Sequence, residues 1–278
     1  MYFFQDRYVP KEEIAVSPDD RGYYFGDGIY EVFRVYGGKV LEGKAHFQRF
    51  QRSADGVRIQ LPYSAEELNS IVHKLIDVNQ IADGIVYMQV TRGAAPRAHA
   101  FPKQSEPILL AYTSEMERPL DTMRKGISAV TLEDTRWLHC DLKTLNLLAN
   151  VIAKQHALDQ GAGDVIFHRS GTVTESSSSN FMMVKQGELY THPANNLVLH
   201  GITRSVVLRL AKQLHIPVHE QPFTLEQLQL ADEAFLTSTT SEIMPVVQID
   251  GRAVGDGIPG PVSRKLQAAF EQEISELT

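Results

Sequence analysis

Residues 137–150 carry the sequence Trp-Leu-His-Cys-Asp-Leu-Lys-Thr-Leu-Asn-Leu-Leu-Ala-Asn, in which one lysine, Lys143, stands among leucines. Apolar residues recur after it at helical spacing and Thr144 could cap a helix, so the pattern predicts a helix that begins beside Lys143 and ends near Gln160. A lysine partly desolvated at such a place is a nucleophilic amine, as a Schiff base with an aldehyde cofactor requires. The alternative is a lysine that extends past the leucines to water.

Composition and charge narrow the class of protein. With 278 residues the chain can form one large domain or two smaller ones, and its hydrophobic content of 43% is usual for a soluble globular protein. The net charge of −7 and the lack of a lysine- or arginine-rich run argue against nucleic acid as a partner. No apolar run reaches membrane-spanning length, the first residues do not resemble a signal peptide, and the single cysteine fits a reducing compartment. We therefore expect a cytoplasmic protein.

The first part of the chain predicts a mixture of strands and helices. A glycine-rich stretch at 19–31 indicates a tight loop, but Glu31 stands where a dinucleotide-binding fingerprint would have its third glycine. Ser64 opens a capping box for a helix. The remaining predicted elements are strands at 3–9, 30–36, 39–41, 85–91 and 107–113, a hairpin turn at 37–38, and a helix at 47–57.

A stretch with turn residues and little periodicity, 115–126, is the best linker candidate and predicts domains at 1–118 and 119–278. Thr224 opens a second capping box, and Asp250-Gly251 indicates a hairpin turn. The other elements predicted after the linker are strands at 127–132, 164–168, 181–185, 188–191 and 234–237 and helices that follow Gly201-Ile202-Thr203 and begin at about Val262.

A pyridoxal phosphate site needs a Schiff-base lysine, an acid facing the pyridine nitrogen and a phosphate-binding cup. Glu175, in a hydroxyl-rich loop predicted at 171–180, could supply the acid, or it could be a surface glutamate. Gly201-Ile202-Thr203 opens a helix whose free N–H groups could bind phosphate, unless Thr203 merely caps that helix. Ser238, Thr239 and Thr240 end a strand and offer hydroxyls to the same anion. Arg49 could add a charged hydrogen bond or lie on a solvated helix face.

Other chemistries lack their motifs. No cysteine or histidine spacing indicates zinc, and neither a nucleophile elbow nor a P-loop occurs. The ten histidines are scattered along the chain. We therefore expect no metal site.

The motifs that remain resemble one enzyme family. They are Arg21-Gly-x-x-Phe-Gly-Asp-Gly-x-Tyr-Glu31, Asp141-x-Lys-x-x-Asn146, Thr174-Glu-x-Ser-Ser-Ser-Asn180, Leu199-x-Gly-Ile-Thr-Arg204 and Thr237-Ser-Thr-Thr-Ser-Glu242. In this order they resemble the fold-type IV pyridoxal phosphate-dependent aminotransferases and span nearly the whole chain. Within that group, Thr91-Arg-Gly-x-x-Pro-Arg-Ala-His99 resembles the D-amino-acid aminotransferases, in which an Arg-x-His pair binds the substrate α-carboxylate.

The resemblance implies a two-domain α/β (α+β) fold, with a smaller N-terminal and a larger C-terminal α/β domain and pyridoxal 5′-phosphate at their interface. It implies that Lys143 holds the cofactor and moves the substrate α-proton. The other implied cofactor-binding residues are Glu175 at the ring nitrogen, Leu199 on the ring face, and Arg49, Ile202, Thr203, Ser238 and Thr239 at the phosphate. Tyr30, Arg97 and His99 would bind the substrate, with Arg97 and His99 contributed across a homodimer interface.

The implied reaction exchanges an amino group between a D-amino acid, such as D-alanine or D-glutamate, and a 2-oxo acid, such as 2-oxoglutarate or pyruvate. Branched-chain L-amino-acid aminotransferases and aminodeoxychorismate lyases share the lysine, glutamate and phosphate motifs without the Arg-x-His pair, and they are the alternative enzymes. A degenerate pyridoxal- or phosphate-binding protein is the non-enzymatic alternative. Ser176 departs from the glycine expected after the glutamate, and a positive φ there would strain the backbone slightly.

Overall fold

A computed structural model describes residues 1–278 of the protein. The chain divides into two compact units. The first consists of Met1–Glu117, Leu142–Leu147 and Leu277–Thr278, and the second of Arg118–Asp141 and Leu148–Glu276. None of the helices combines the length and the apolar character that a membrane span requires.

The first unit is built on an antiparallel six-stranded sheet with the order β2-β1-β6-β5-β3-β4. Its strands are β1 (Tyr2–Phe4), β2 (Arg7–Val9), β3 (Gly28–Tyr36), β4 (Lys39–Val40), β5 (Gly84–Thr91) and β6 (Ile108–Glu115). Its helices are α1 (Arg21–Phe25), α2 (Gly43–Val57) and α3 (Ala65–Val78), with a 3-10 turn at Lys11–Glu13.

One face of this sheet packs against α2 and α3. Because strand side chains alternate between faces, Phe33 of β3 and Met88 of β5 enter the core, where they join Phe50 of α2 and Leu75 of α3. All four side chains are fully buried. β4 pairs only with the last two residues of β3, so it leaves the beginning of β3 with an open edge.

The second unit contains the remaining nine strands. They are β7 (Ile127–Glu133), β8 (Asp164–Arg169), β9 (Thr172–Ser176), β10 (Asn180–Lys185), β11 (Glu188–Thr191), β12 (Val218–Glu220), β13 (Glu233–Ser238), β14 (Glu242–Ile249) and β15 (Arg252–Ala253). Its helices are α4 (Leu120–Lys125), α5 (Leu148–Asp159), α6 (Ile202–Gln213), α7 (Leu225–Leu228) and α8 (Pro261–Leu277, which ends in the first unit).

These strands form one mixed sheet with the order β12-β11-β10-β13-β14-β7-β8-β9, and β15 pairs with β14. β9 also pairs with β10 through Glu175 and Asn180, so the path of paired strands from β10 to β9 closes on itself. Phe181 and Leu236, paired across β10 and β13, lie in the core. The closure brings Glu175, near the end of β9, beside Asn180 at the start of β10.

Local sequence signals are confirmed where they depend on nearby residues. Ser64 and Thr224 each form the predicted capping box. The turns at 37–38 and 250–251 connect antiparallel strands, and β5 and β6 form the predicted antiparallel pair. The prediction of a mixed α/β class is also confirmed.

Three local predictions are wrong. The strand predicted at 3–9 is a hairpin, because Gln5 adopts a positive φ between β1 and β2. The loop predicted at 19–31 contains α1, which Asp20 caps and Gly26 ends. Half of the loop predicted at 171–180 belongs to β9. The stretch proposed as a linker, 115–126, contains α4, and the division between the two units falls within it.

Candidate active site

The segment that carries Lys143 is extended, and it pairs with the open edge of β3. Thr144 forms an antiparallel bridge with Ile29. The carbonyl of Lys143 accepts a hydrogen bond from the Tyr30 amide at 3.0 Å, and the Leu145 amide donates to the Gly28 carbonyl at 3.0 Å. Backbone groups used in this way cannot make helical hydrogen bonds. The prediction of a helix beginning beside Lys143 is therefore wrong.

Helix α5 begins instead at Leu148, and the apolar side chains of its first turns face solvent. Leu148 is 74% exposed and Ile152 is 62% exposed, whereas Ala153 and Ala157 are buried. The spacing of apolar residues correctly predicted a helix here, but it did not indicate which helical residues are buried.

The amine of Lys143 lies over an aromatic ring. Its Nζ is 4.2 Å from the centroid of the Tyr30 ring, which stacks in turn on Tyr87 at 5.7 Å. The Lys143 amide donates to Ser53 Oγ at 3.1 Å, which ties the backbone to α2. The side chain is half-buried and its Nζ makes no hydrogen bond or ion pair. An amine held in this way, without a carboxylate to engage it, is available to an electrophile.

A buried ion cluster lies beside this segment in the first unit. Glu31 of β3 accepts hydrogen bonds from Arg49 Nε at 3.0 Å and Nη2 at 2.6 Å, and from His46 Nδ1 at 3.0 Å. Arg49 is buried, so the alternative of a solvated helix face is wrong. Burial would raise the pKa of Glu31, but Arg49 and His46 hold it well below its usual value. Burial lowers the pKa of His46, and Glu31 opposes that shift.

Arg97 and His99 lie together on the exposed loop between β5 and β6. The Arg97 guanidinium is 5.2 Å from the centroid of the Phe25 ring, and the His99 ring meets the same ring edge-on at 5.6 Å. Neither side chain makes a hydrogen bond or ring contact with Tyr30. Within this chain, the three residues predicted to bind a carboxylate therefore form two separate groups.

Glu175 occupies a buried strand position in the second unit. It lies in β9 and is 4% exposed, so the predicted loop position and the surface-glutamate alternative are both wrong. Its Oε1 accepts from Arg136 Nη1 at 2.7 Å, and its Oε2 accepts from Asn180 Nδ2 at 3.0 Å and the Leu199 amide at 2.9 Å. Burial raises the pKa of Glu175, and Arg136 opposes the shift. A buried carboxyl of this kind suits a protonated ligand nitrogen.

Sequence reasoning did not single out Arg136. Its guanidinium donates to both oxygens of Asp134 at 2.9 Å and lies 4.5 Å from the Phe167 ring centroid. It therefore holds Glu175 with the one nitrogen that Asp134 leaves free. The only signal available in the sequence was an arginine two residues after an aspartate, which is too common to identify such a role.

Helix α6 begins at Ile202 with Gly201 as its N-cap, and no side chain caps it. The alternative that Thr203 caps the helix is therefore wrong, and the amides of Ile202 and Thr203 make no backbone hydrogen bond. Asn180, which bonds Glu175, also donates to the Leu199 carbonyl at 2.7 Å. A Cβ on Gly201 would lie 2.0 Å from Asn180 Oδ1. Asn180 thus connects Glu175 to the turn before α6. Position 201 must be glycine to leave room for the Asn180 side chain.

The turn after β13 is held by its own hydroxyls. Ser238 Oγ and Ser241 Oγ are 2.6 Å apart, and the Ser241 amide donates to Ser238 Oγ at 3.1 Å. Thr239 is half-buried and its hydroxyl makes no hydrogen bond. Thr240 is likewise half-buried with a hydroxyl that makes no hydrogen bond, so Ser238 shapes the turn and the hydroxyls of Thr239 and Thr240 remain available to an anion.

Comparison with known proteins decides the family. A family model described as amino-transferase class IV matches residues 28–249. The chain belongs to the class IV aminotransferase family. It is 48% identical over 273 residues to a D-alanine aminotransferase of Staphylococcus aureus (strain MSSA476), with 98% of this chain and 97% of that protein covered.

Solved structures of the family have the same fold. The branched-chain amino acid aminotransferase from Escherichia coli gives a TM-score of 0.91 at 28% identity, covering 97% of this chain and 92% of that chain. The branched-chain aminotransferase from the thermophilic archaeon Thermoproteus uzoniensis, solved with norvaline, gives 0.89 at 26% identity, covering 99% and 95%. The predicted fold-type IV class is confirmed.

Proposed function

We propose that this class IV aminotransferase exchanges an amino group between a D-amino acid and a 2-oxo acid, with D-alanine, D-glutamate, 2-oxoglutarate and pyruvate as the expected substrates. The observation that carries the proposal is the 48% identity, over nearly the whole chain, to a D-alanine aminotransferase. The geometry supports it through Lys143, whose unengaged Nζ lies on the Tyr30 ring.

The residues fit pyridoxal 5′-phosphate. Lys143 offers a free amine for its aldehyde, and Glu175 offers a buried carboxyl for its ring nitrogen. The open amides of Ile202 and Thr203, with the Thr239 hydroxyl, offer donors for its phosphate. The further cofactor-binding residues that we propose are Arg49, Leu199 and Ser238. When bound, the cofactor supplies an electron sink for the carbanion formed at the substrate α-carbon.

The chain's own residues supply proton transfer and orientation. Lys143 removes the proton from the substrate α-carbon and returns a proton on the same face, which fixes the enantiomer that reacts. Glu175, kept in place by Arg136 and Asn180, holds a proton at the ring nitrogen. Tyr30, Arg97 and His99 hold the α-carboxylate through a phenol, a planar paired donor and an imidazole.

We further propose a homodimer in which Arg97 and His99 act on the substrate bound by the other protomer. Both side chains are exposed, and neither contacts Tyr30 of its own chain. An apolar stripe on α5, formed by Leu148, Val151 and Ile152, is also exposed and could be covered by a second copy. The proposed domains are 1–118 and 119–278, and the free thiol of Cys140 is consistent with a cytoplasmic location.

The test is chiral. We expect purified protein to convert D-alanine, but not L-alanine, with 2-oxoglutarate as acceptor. Activity with branched-chain L-amino acids alone would replace the proposal with the branched-chain alternative, pyruvate release from aminodeoxychorismate would favour the lyase, and no turnover would favour a degenerate binding protein. Borohydride should fix the cofactor on Lys143 and leave Lys143→Ala unlabelled. Lys185→Ala is the control, because Lys185 forms only a surface pair with Asp232.

A further inference from the structure

Asp27, in the glycine-rich stretch before β3, is held by two arginines. Its Oδ2 accepts from Arg21 Nε at 2.8 Å and from Arg92 Nε at 2.8 Å, and its Oδ1 accepts from Arg92 Nη2 at 2.9 Å. All three side chains are largely buried. Burial would raise the pKa of Asp27, but Arg92 and Arg21 hold it below its usual value. A carboxylate with two cations is a rigid junction, because each guanidinium is fixed by its planar fork.

The other end of Arg21 holds the loop that carries Arg97 and His99. Arg21 Nη1 donates to the Ala98 carbonyl at 2.6 Å and to the Ala100 carbonyl at 3.4 Å. Ala98 lies between Arg97 and His99 in the sequence. The Arg21 guanidinium is also 4.9 Å from the Phe25 ring, on which Arg97 and His99 pack. One arginine therefore fixes both the backbone between these two residues and the ring beneath them.

The other arm of the junction ends at helix α2. Arg92 Nη1 donates to the Arg58 carbonyl and Nη2 to the Val57 carbonyl, both at 2.8 Å, and these carbonyls lie at the end of α2. The same helix bonds the Lys143 amide through Ser53. Asn146, three residues after Lys143, donates to the Gly26 carbonyl at 3.0 Å. The junction at Asp27 thus belongs to the frame that fixes the Lys143 backbone.

We propose that Arg21 and Asp27 are positioning residues for the carboxylate-binding pair Arg97 and His99, an inference that rests on the function proposed above. The loop is exposed and the two side chains make no hydrogen bonds of their own. A carboxylate trap needs its donors held to within about 0.5 Å. Arg21 supplies that restraint, because a guanidinium can bond a carboxylate and a carbonyl at once and an ammonium cannot do so in the same plane.

The test compares Arg21→Lys with wild type as holoenzyme. We expect the KM for D-alanine to rise about 10-fold with kcat within about 2-fold, since misplaced positioning groups weaken binding without removing the catalytic amine. The preference for D- over L-alanine should fall by a similar factor. Hydrogen exchange of peptides covering residues 93–106 should become faster. Arg209→Lys is the control, because Arg209 also binds a carboxylate, Glu273, through two nitrogens but belongs to the other compact unit of the chain.

Asp27→Asn provides a second variant if Arg21→Lys does not fold, and it should give the same split between KM and kcat. A lower melting temperature with unchanged KM, enantiomer ratio and loop exchange would overturn the proposal and leave Arg21 as a merely structural residue. A wild type that uses only L-alanine would refute the D-specific function instead. In that case, faster hydrogen exchange of residues 93–106 in Arg21→Lys would still show that Arg21 restrains this loop. Unchanged exchange would refute the positioning role of Arg21 in addition to the D-specific function.

Discussion

Glu31 and Glu175 are both buried glutamates on β-strands, yet their carboxyl pKa values shift in opposite directions. Glu31, in the first unit, has a pKa below the usual value, and Glu175, in the second unit, has one above it. Burial acts on both in the same sense, since it disfavours the charged form. The difference must therefore come from the charges and the hydrogen-bond donors around each carboxylate.

The donors to Glu31 and to Glu175 differ in charge and in whether they also bond another carboxylate. Glu31 takes two hydrogen bonds from Arg49, one from His46 and one from the Val32 backbone amide. Glu175 takes one from Arg136, whose other nitrogens bond Asp134, and Asp134 adds a repulsive negative charge. Its remaining donors are a neutral amide side chain and a backbone amide. Glu31 is consequently a saturated structural anion, whereas Glu175 retains affinity for a proton or a protonated ligand.

The largest expected effect concerns stability and Glu31. Glu31→Gln removes the charge that balances a buried arginine, and an uncompensated buried charge costs about 3–5 kcal/mol of unfolding free energy. Urea unfolding of wild type and variant measures the loss. Glu273→Gln, which breaks an exposed pair, is the control and should cost no more than about 1 kcal/mol. A loss of that size for Glu31→Gln would mean that the cluster does not stabilise the fold.

The next effect concerns rate and Glu175. Glu175→Gln should retain the cofactor and most of the stability but slow the half-reaction with D-alanine about 100-fold, because a neutral amide cannot hold a protonated ring nitrogen as a carboxylate does. Single-turnover absorbance measurements provide the rate. An unchanged rate would mean that a group other than Glu175 contacts the ring nitrogen. Glu175 would then differ from Glu31 in pKa but would have no role in the reaction.

A smaller effect on stability concerns Asn180, the neutral side chain that donates a hydrogen bond to Glu175. Gly201→Ala would place a Cβ 2.0 Å from Asn180 Oδ1, and such overpacking costs about 1–3 kcal/mol. In an Asn180→Ala background the clash disappears, so the same substitution should cost well under half as much. Unfolding of the two single variants and the double variant gives the coupling energy. Additive losses would show that Asn180 and Gly201 do not restrain each other.

How far the sequence predicted these features depends on the range of the interactions. The capping box at Ser64 and the turn at Asp250-Gly251 are set by residues within a few positions, and both were predicted correctly. Lys143 and Glu175 were proposed as site residues on the basis of their motifs, but the helix predicted beside Lys143 and the loop predicted around Glu175 were wrong. The edge of β3 that pairs with residues 143–145 is more than 100 positions away in the chain, and no local pattern reports it.

The residues that support the proposed site were harder to predict than the proposed site residues themselves. Arg136 reaches Glu175 across 39 positions, and Arg21 reaches Ala98 across 77. Arginines are common on surfaces, so composition alone does not distinguish a buried clamp from a solvated side chain. The Arg21 and Asp27 pair lay within a motif that the family resemblance highlighted, but its partners became evident only from the folded chain.

In the cofactor-free protein, the two glutamates are expected to make the unfolding free energy depend on pH in opposite directions. Glu31 has a lowered pKa in the folded state, so its contribution to stability is present above the unfolded value of about 4.3 and is lost as pH falls through the folded value. Glu175 has a raised pKa in the folded state. Its contribution is full below about 4.3 and is lost as pH rises through the folded value.

The unfolding free energy of wild type minus that of each glutamine variant isolates these contributions. For Glu31→Gln the difference should shrink as pH falls below about 4.3, and for Glu175→Gln it should shrink as pH rises above about 4.3, by about 1.4 kcal/mol for each unit by which the folded pKa differs from the unfolded one. The two curves should therefore slope in opposite directions. Because glutamine does not titrate, the common background of the other carboxyls cancels in each difference. Parallel slopes would mean that the two sets of donors affect their carboxylates equally, and Glu175 would then be a second structural anion with no reserved affinity for a ligand proton.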